Sequence, residues 1–350
     1  MKTIKDINLK NKTILVRVDY NVPLKNHKVE NNLRVRANLP TINYLLEHGA
    51  KKIILISHLG RPEGKENPDY TLNPVANTLK KLLPEQKIGF YPLPKQNDKI
   101  KIPADTKIAL LENLRFDPRE EANDQDFITN IVNSVDANLY VQDGFAVIHR
   151  AHASTDAIKH ALPIYAGLLL ENEMKNLEFA TKNPAKPVLL IIGGAKVDDK
   201  QPLIDKFLKK TDHIYVGGKI AADGYKSKDK KIIVASDFDK NEKGDKLDIG
   251  PLSTGQLANL ITDAKTIIWN GLLGYAEDPA YATSSTITAE LIGEHQGAET
   301  IICGGDTTGF VENLMKDHPS LHYSLVSTGG GASLEFLLGN KLPGLESIIE

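Results

Sequence analysis

At 350 residues, 41% hydrophobic and 25% charged, the chain has a globular composition and exceeds the size of one ordinary core, so two domains are expected. No apolar run approaches the roughly 20 residues of a membrane span, and the polar stretch Met1 to Lys12 is no signal peptide, which excludes a membrane partner and predicts a cytoplasmic location. The net charge of −2 hides 24 basic against 19 acidic residues through position 160 and 19 against 26 beyond; that asymmetry suits a small anionic substrate, and the lack of a strongly basic face with interleaved aromatics excludes nucleic acid.

Short β-branched, apolar runs recur at Thr13 to Val18, Lys52 to Ile56, Lys107 to Leu111, Leu139 to Val141, Val188 to Ile192, Ile214 to Val216, Lys231 to Val234, Thr266 to Trp269, Thr300 to Cys303 and Ser324 to Val326. Helical periodicity fills the gaps, which predicts α/β architecture with parallel sheets. Several runs are apolar throughout, as strands buried on both faces are. The two halves meet near Leu162 to Asn183, where Leu168, Leu169, Glu173, Met174, Leu177 and Phe179 give a helical run opened by Pro163 and closed by Asn183-Pro184. Leu342-Pro343-Gly344 is read as the break of the last helix. Cys303, the one cysteine, excludes a disulfide and a multi-cysteine metal site and reads as a buried, inert thiol.

Polar or glycine-rich segments follow the runs, where ligands bind in open parallel sheets. In the first half they are Asp19-Tyr20-Asn21, Ser57-His58-Leu59-Gly60-Arg61, Glu112-Asn113-Leu114-Arg115 and Asp143-Gly144-Phe145. In the second they are Gly193-Gly194-Ala195-Lys196, Gly217-Gly218, Asn270-Gly271, Gly304-Gly305-Asp306-Thr307 and Ser327-Thr328-Gly329-Gly330-Gly331. Guanidinium forks suit a small phosphate or carboxylate held bidentately. Glycine turns at helix starts, with lysines and one carboxylate, suit a polyphosphate and a divalent cation. Lys196 and Lys200 lie one helical turn apart, so both amines can reach one anion. Asp306 is either a magnesium ligand or a helix cap. His149 and His152 have metal-compatible spacing but no third ligand. Walker A and GxGxxG patterns are both absent.

The ordered set Arg-Val-Asp-Tyr-Asn-Val-Pro (17–23), Ser-His-Leu-Gly-Arg-Pro (57–62), Leu-Leu-Glu-Asn-Leu-Arg-Phe (110–116), His-Arg-Ala-His-Ala-Ser (149–154), Gly-Gly-Ala-Lys-Val (193–197), Asp-Ile-Gly-Pro (248–251), Trp-Asn-Gly (269–271), Gly-Gly-Asp-Thr (304–307) and Ser-Thr-Gly-Gly-Gly-Ala (327–332) resembles phosphoglycerate kinases across essentially the whole chain. The resemblance implies a monomer of two Rossmann-like domains with parallel sheets. Residues 1–162 would bind 3-phosphoglycerate, 163–183 form an interdomain helix, 184–338 bind nucleotide, and 339–350 return to the N-terminal domain. It implies phosphoglycerate contacts from Asp19, Tyr20, Asn21, Arg34, His58, Leu59, Gly60, Arg61, Arg115 and Arg150. ATP or ADP would be held by Gly193, Lys196, Lys200, Gly217, Asn270, Glu277, Gly304, Gly305, Asp306 and Thr307, with Asp306 on Mg2+. Arg34, Lys196 and the amides of Gly329 and Gly330 would stabilise the transferring phosphoryl group during in-line transfer after domain closure. The segment 219–247 is shorter than the family's, Lys219 replaces a glycine, Leu272 a proline and Ala276 an aromatic. An alternative follows from those departures: a paralogue that binds phosphoglycerate or a protein without turnover.

Overall fold

Strands that are apolar on both faces need cover on both sides, which helices flanking a parallel sheet supply. The computed structural model describes residues 1–349 and divides them into two units, Met1–Asn172 together with the segment from Lys341, and Glu173–Asn340. Of the segment 339–350, Glu350 lies outside the described residues.

The first unit contains β1 (Thr13–Arg17), β2 (Leu24–Lys25), β3 (Lys28–Val29), β4 (Lys52–Ile56), β5 (Ile88–Tyr91), β6 (Ile108–Leu111), β7 (Leu139–Gln142) and β8 (Ile164–Ala166). Strands β2 and β3 form a small ribbon, while the other six make one parallel sheet in the order β5-β6-β4-β1-β7-β8. Ile14 lies opposite Ile53 on one side and Leu139 on the other. Helices α1 (Leu33–Ala37), α2 (Leu39–Glu47), α3 (Asn73–Leu82), α4 (Pro118–Glu121) and α5 (Gln125–Ser134) lie between the strands in sequence. Val16, Ile42, Leu55, Leu79 and Val141 are among the fully buried residues of its core. From β1 the chain builds outward in one direction through β4, and then in the other through β7. That reversal opens a crevice between the carboxyl ends of β1 and β7.

Helix α6 (Leu168–Lys182) contains the division between the units. The Asp143 carboxylate, at the end of β7, accepts from the amides of Leu169 at 3.0 Å and Leu170 at 3.3 Å, satisfying helix-start donors that have no partner within the helix.

The second unit carries β9 (Val188–Ile192), β10 (His213–Val216), β11 (Ile232–Val234), β12 (Phe238–Lys240), β13 (Lys246–Ile249), β14 (Thr266–Asn270), β15 (Glu299–Cys303) and β16 (Leu325–Val326). Its parallel sheet runs β11-β10-β9-β14-β15-β16. In order of appearance within the sheet this is 3-2-1-4-5-6, the doubly wound arrangement whose ligand crevice opens between strands 1 and 4, here β9 and β14. Strands β12 and β13 form a separate antiparallel hairpin. Helices α7 (Val197–Phe207), α8 (Gly218–Ala222), α9 (Pro251–Asp263), α10 (Thr283–Glu294), α11 (Gly305–Asp317) and α12 (Gly331–Leu338) complete it.

Helix α13 (Pro343–Ile349) belongs to the first unit, where Gly344 donates to the Ile148 carbonyl at 2.9 Å and Lys2 donates to the Ile348 carbonyl at 3.0 Å.

The sequence reading differs from this architecture in four places. Strand β5 was not anticipated, because Ile-Gly-Phe-Tyr is an edge segment with little β-branched character. Ile164–Ala166 is strand β8, paired with β7, where the reading began a helix at 163; the helix starts at Leu168 instead. Pro343-Gly344 opens α13 rather than breaking a helix, as suits proline at the first helical position. The preceding break is Gly339, left-handed at φ 77°. Between Gly218 and Ile249 the expected strand at Lys231 to Val234 is present as β11, and short α8 and the β12–β13 hairpin are additions to the expected elements.

Candidate functional site

In the first unit, the loops at the strand ends are tied into one polar network. Arg34, on α1, donates through Nη1 to the Asp19 carboxylate at 2.6 Å and to the Asn21 carbonyl at 3.2 Å. The Asn21 side chain accepts from the Gly60 amide at 2.9 Å, and the Gly60 carbonyl accepts from Arg115 at 2.7 Å. Arg115 is buried and its Nε lies 3.1 Å from Glu121. Burial pulls its pKa down, since removing a cation from water disfavours it. Arg150 donates through Nε to His149 at 3.2 Å.

His58 is almost wholly buried, and desolvation, reinforced by the positive charges of Arg17, Arg115, Arg150 and Arg34, holds it well below the ordinary histidine pKa. The same causes, burial first and then Arg115 and Arg150, bring His152 down to about 4. Both rings are therefore neutral near pH 7, and the positive charge of this cluster resides on arginines.

Among the other expected residues, Tyr20 and Leu59 have buried side chains within the apolar core. Arg61 is exposed beyond β4. The sequence reading missed Arg17 and Glu120, both buried beneath the cluster. Arg17 did carry a signal: a lone charge inside the apolar run Thr-Ile-Leu-Val-Arg-Val.

In the second unit, a cavity of about 770 Å³ opens at the crevice between β9 and β14, lined among others by Lys196, Lys200, Glu277, Gly304, Gly305, Asp306 and Thr307. Gly193, Gly217 and Asn270 are not among its lining residues. They act through the wall: the Gly193 amide donates to the Asn270 carbonyl at 3.1 Å, and a Cβ on Gly193 would run into the Leu272 carbonyl oxygen. Lys200 donates to the Asn270 side-chain oxygen, and Asn270 Nδ2 donates to Cys303 Sγ at 3.3 Å. Burial lowers the Lys200 pKa, and it raises the Cys303 thiol to about 11. The Thr307 hydroxyl accepts from the Gly271 amide at 2.8 Å, fixing the loop after β14 against the start of α11.

Asp306 stands in the first turn of α11, beyond Gly304 at φ 95°. Among the described residues no group of three or more His, Cys, Asp or Glu is arranged to hold a metal ion. The Asp306 carboxylate, in a cavity also lined by Lys196 and Lys200, fits a cation that takes its remaining ligands from water and polyphosphate oxygens, as Mg2+ does.

Phe238, Lys246, Leu247, Tyr275 and Lys219 also line the cavity. Lys246 sits over the Phe238 ring, 4.6 Å from its centroid. The Tyr275 hydroxyl donates to the Glu277 carboxylate at 2.7 Å, so an aromatic residue is present one position before Ala276.

The glycine turn after β16 lies over a buried carboxylate. Glu173 Oε1 accepts from the Thr328 amide at 2.7 Å and its hydroxyl at 2.9 Å. Burial raises the Glu173 pKa to about 7 against the opposing hydrogen bonds from Ser327 and Thr328. The Gly329 amide donates to Ser327 Oγ at 3.1 Å, and Gly330 caps α12 at φ 51°. Neither glycine is among the lining residues of the cavity.

The phosphoglycerate kinase family model matches residues 4–242 and 225–340. The chain belongs to the phosphoglycerate kinase family. The phosphoglycerate kinase of Moorella thermoacetica is 38% identical over 395 residues, covering 99% of each chain. That of Fervidobacterium nodosum is 37% identical, covering 99% of this chain and 98% of its own. The Moorella alignment is longer than the 350 residues here, so that phosphoglycerate kinase has positions this chain lacks. The structure of phosphoglycerate kinase from Coxiella burnetii superimposes with a TM-score of 0.80 at 30% identity, covering 99% of this chain and 98% of that one. The enzyme from Pyrococcus horikoshii gives 0.85 at 26% identity, with coverage of 100% and 98%. The α/β architecture with two parallel sheets is that of the family, whose reaction is glycolytic phosphoryl transfer. Among the described residues no helix is long and apolar enough to cross a membrane.

Proposed function

We propose that this chain catalyses the reversible, Mg2+-dependent transfer of a phosphoryl group between 1,3-bisphosphoglycerate with ADP and 3-phosphoglycerate with ATP. The observation that carries this reading is the cavity at the β9–β14 crevice, which combines Lys196, Lys200 and Asp306 in a chain whose other unit collects Arg34, Arg115 and Arg150 around Asp19 and His58. The arginine cluster takes the phosphoglycerate, and the lysine-lined cavity takes the nucleotide.

No general base is needed, because the accepting carboxylate or phosphate oxygen is already ionised near neutral pH. Catalysis is then alignment and charge stabilisation. Lys196 and Lys200 neutralise nucleotide phosphates, Asp306 holds the cation, and Arg34 faces charge that develops on the group in transfer. Bound Mg2+ supplies Lewis-acid neutralisation of the phosphate oxygens. Glu277, oriented by Tyr275, accepts from the ribose hydroxyls. The turn at Gly329 and Gly330 contributes backbone donors once the Ser327 contact is exchanged for the anion. Because the two substrates are assigned to different units, transfer requires them to be brought together with water excluded.

A coupled assay of ATP and 3-phosphoglycerate with magnesium, run beside Lys196→Ala, tests the reading. Turnover that depends on Lys196 supports it. No such turnover with any purine nucleotide overturns it in favour of the binding module, which the altered Leu272 and Ala276 positions would then explain.

A further inference from the structure

Arg17 ends β1 inside the protein, with only 1% of its surface exposed, and each nitrogen of its guanidinium is engaged. Nε donates to Ser154 Oγ at 2.8 Å, Nη1 to the Val18 carbonyl at 2.5 Å, and Nη2 lies 3.3 Å from His58 Nδ1. Ser154 spends its one hydroxyl proton on Glu120 Oε1 at 2.6 Å, which leaves its oxygen free to accept from Arg17. The Ser154 amide donates to Glu120 Oε2 at 3.1 Å. The donor directions in this chain are therefore set from the buried carboxylate outward.

A guanidinium has only donors, so the atom facing Nη2 must be an acceptor. An imidazole nitrogen accepts only when it carries no proton, and in the neutral ring the proton then resides on the other nitrogen. We propose that Arg17 is a positioning residue that fixes His58 as the neutral imidazole protonated at Nε2, so that His58 offers a bound anion a ring N–H and never a cation. The inference rests on reading the surrounding cluster as the phosphoglycerate site.

The charges facing His58 agree. Arg17 reaches it from β1, Arg34 from α1, Arg115 from the turn after β6 and Arg150 from the segment after β7, all of which oppose a proton on the ring. The one opposing group is Asp19, whose Oδ1 lies 3.9 Å from Nδ1, beyond hydrogen-bond distance, and accepts from the Asn21 amide at 3.1 Å, while its Oδ2 holds Arg34. Division of labour follows: arginines supply charge that does not vary with pH, and His58 supplies direction.

The test is the nitrogen NMR spectrum of the full chain, labelled with 15N-histidine and free of ligand. The expected spectrum has Nδ1 unprotonated and Nε2 protonated, unchanged between about pH 5 and pH 8, where an ordinary histidine titrates. A proton on Nδ1, or a titration near the ordinary value of about 6.5, overturns the proposal. Arg17→Met, paired with Glu120→Gln so that no buried carboxylate loses its countercharge, is the second arm. In that variant the Nδ1 and Nε2 signals of His58 are expected to move toward the averaged positions of a ring free to exchange tautomers, while burial and the remaining arginines still oppose a proton on it. A folded variant with an unchanged His58 spectrum overturns the role of Arg17. If the variant does not fold, the spectrum of the unaltered chain still decides. Adding 3-phosphoglycerate to the labelled chain judges the site separately: no perturbation of His58 refutes the site reading and leaves the tautomer result standing.

Discussion

Arg34 and Asp19 are joined by a 2.6 Å charge-assisted hydrogen bond between α1 and the loop after β1. The carboxylate occupies one edge of a guanidinium whose side chain is 32% exposed, so the arginine is held in place before any substrate arrives. Holding it reduces the ordering needed during transfer, which is where an electrostatic contributor acts. Arg34→Ala is expected to lower kcat by about a hundredfold while raising the KM for 3-phosphoglycerate much less. Steady-state kinetics with both substrates varied checks this, and an unchanged kcat removes Arg34 from the transition state.

Asn270 has a similar duty toward Lys200, whose amine it holds at the cavity wall. Asn270→Ala frees that amine and strands Cys303 without its donor. Nucleotide KM is expected to rise by about tenfold, the worth of one hydrogen bond to a charged group, with the KM for 3-phosphoglycerate unaffected. Calorimetric titration with ADP checks it, and equal losses for both substrates would point to general unfolding instead.

Glu173 makes stability depend on pH in a direction opposite to a salt-bridged carboxylate. Its native pKa of about 7 lies above the ordinary 4.5, so the folded state binds the proton more tightly than the unfolded state. The stabilisation is complete below about 4.5 and is lost as pH rises through about 7, by at most about 3 kcal/mol. Glu173→Gln stays neutral throughout. The parent is expected to lose stability relative to this variant as pH climbs from about 5 to 7. Urea unfolding at a series of pH values reads the difference, and parallel curves refute it. Asp143, also raised to about 7 by burial, contributes the same slope to both proteins and cancels.

Two glycines predict opposite signs. Gly330 adopts φ 51° and ψ −112°, with no atom within 4 Å of a would-be Cβ, so its cost of substitution is purely conformational. Gly330→Ala should destabilise by about 1–3 kcal/mol. Gly309 lies inside α11 with equally open space and an ordinary helical backbone. Gly309→Ala should stabilise by about 1 kcal/mol. Denaturant midpoints of the pair settle both, and a neutral Gly330→Ala would mean the turn relaxes without strain.

Much of the architecture was legible because the strands at the sheet centres are apolar on both faces and bounded by glycine or polar turns, as Val188–Ile192 and Lys52–Ile56 are. What escaped lacks that signature. Ile164–Ala166 is three residues squeezed between a proline and a helix, and it is a strand only because β7 offers an edge. The β12–β13 hairpin sits in a lysine-rich stretch, where pattern gives way to pairing between Phe238 and Ile249. At the site, polar residues at strand ends were visible, but the groups beneath them were not. Arg17 and Glu120 meet through Ser154, residues far apart in the chain that only the folded sheet brings together.

The return of the chain to its first unit sets an order of assembly. Helix α13 lies against β8, whose Ala166 also bridges to Thr3, yet α13 is synthesised only after every residue of the second unit. On the ribosome, therefore, the second unit can finish folding while the first still waits for its closing segment. Early release or a nonsense codon near position 340 would spare the cavity between β9 and β14 and leave the edge of the arginine-bearing unit uncovered.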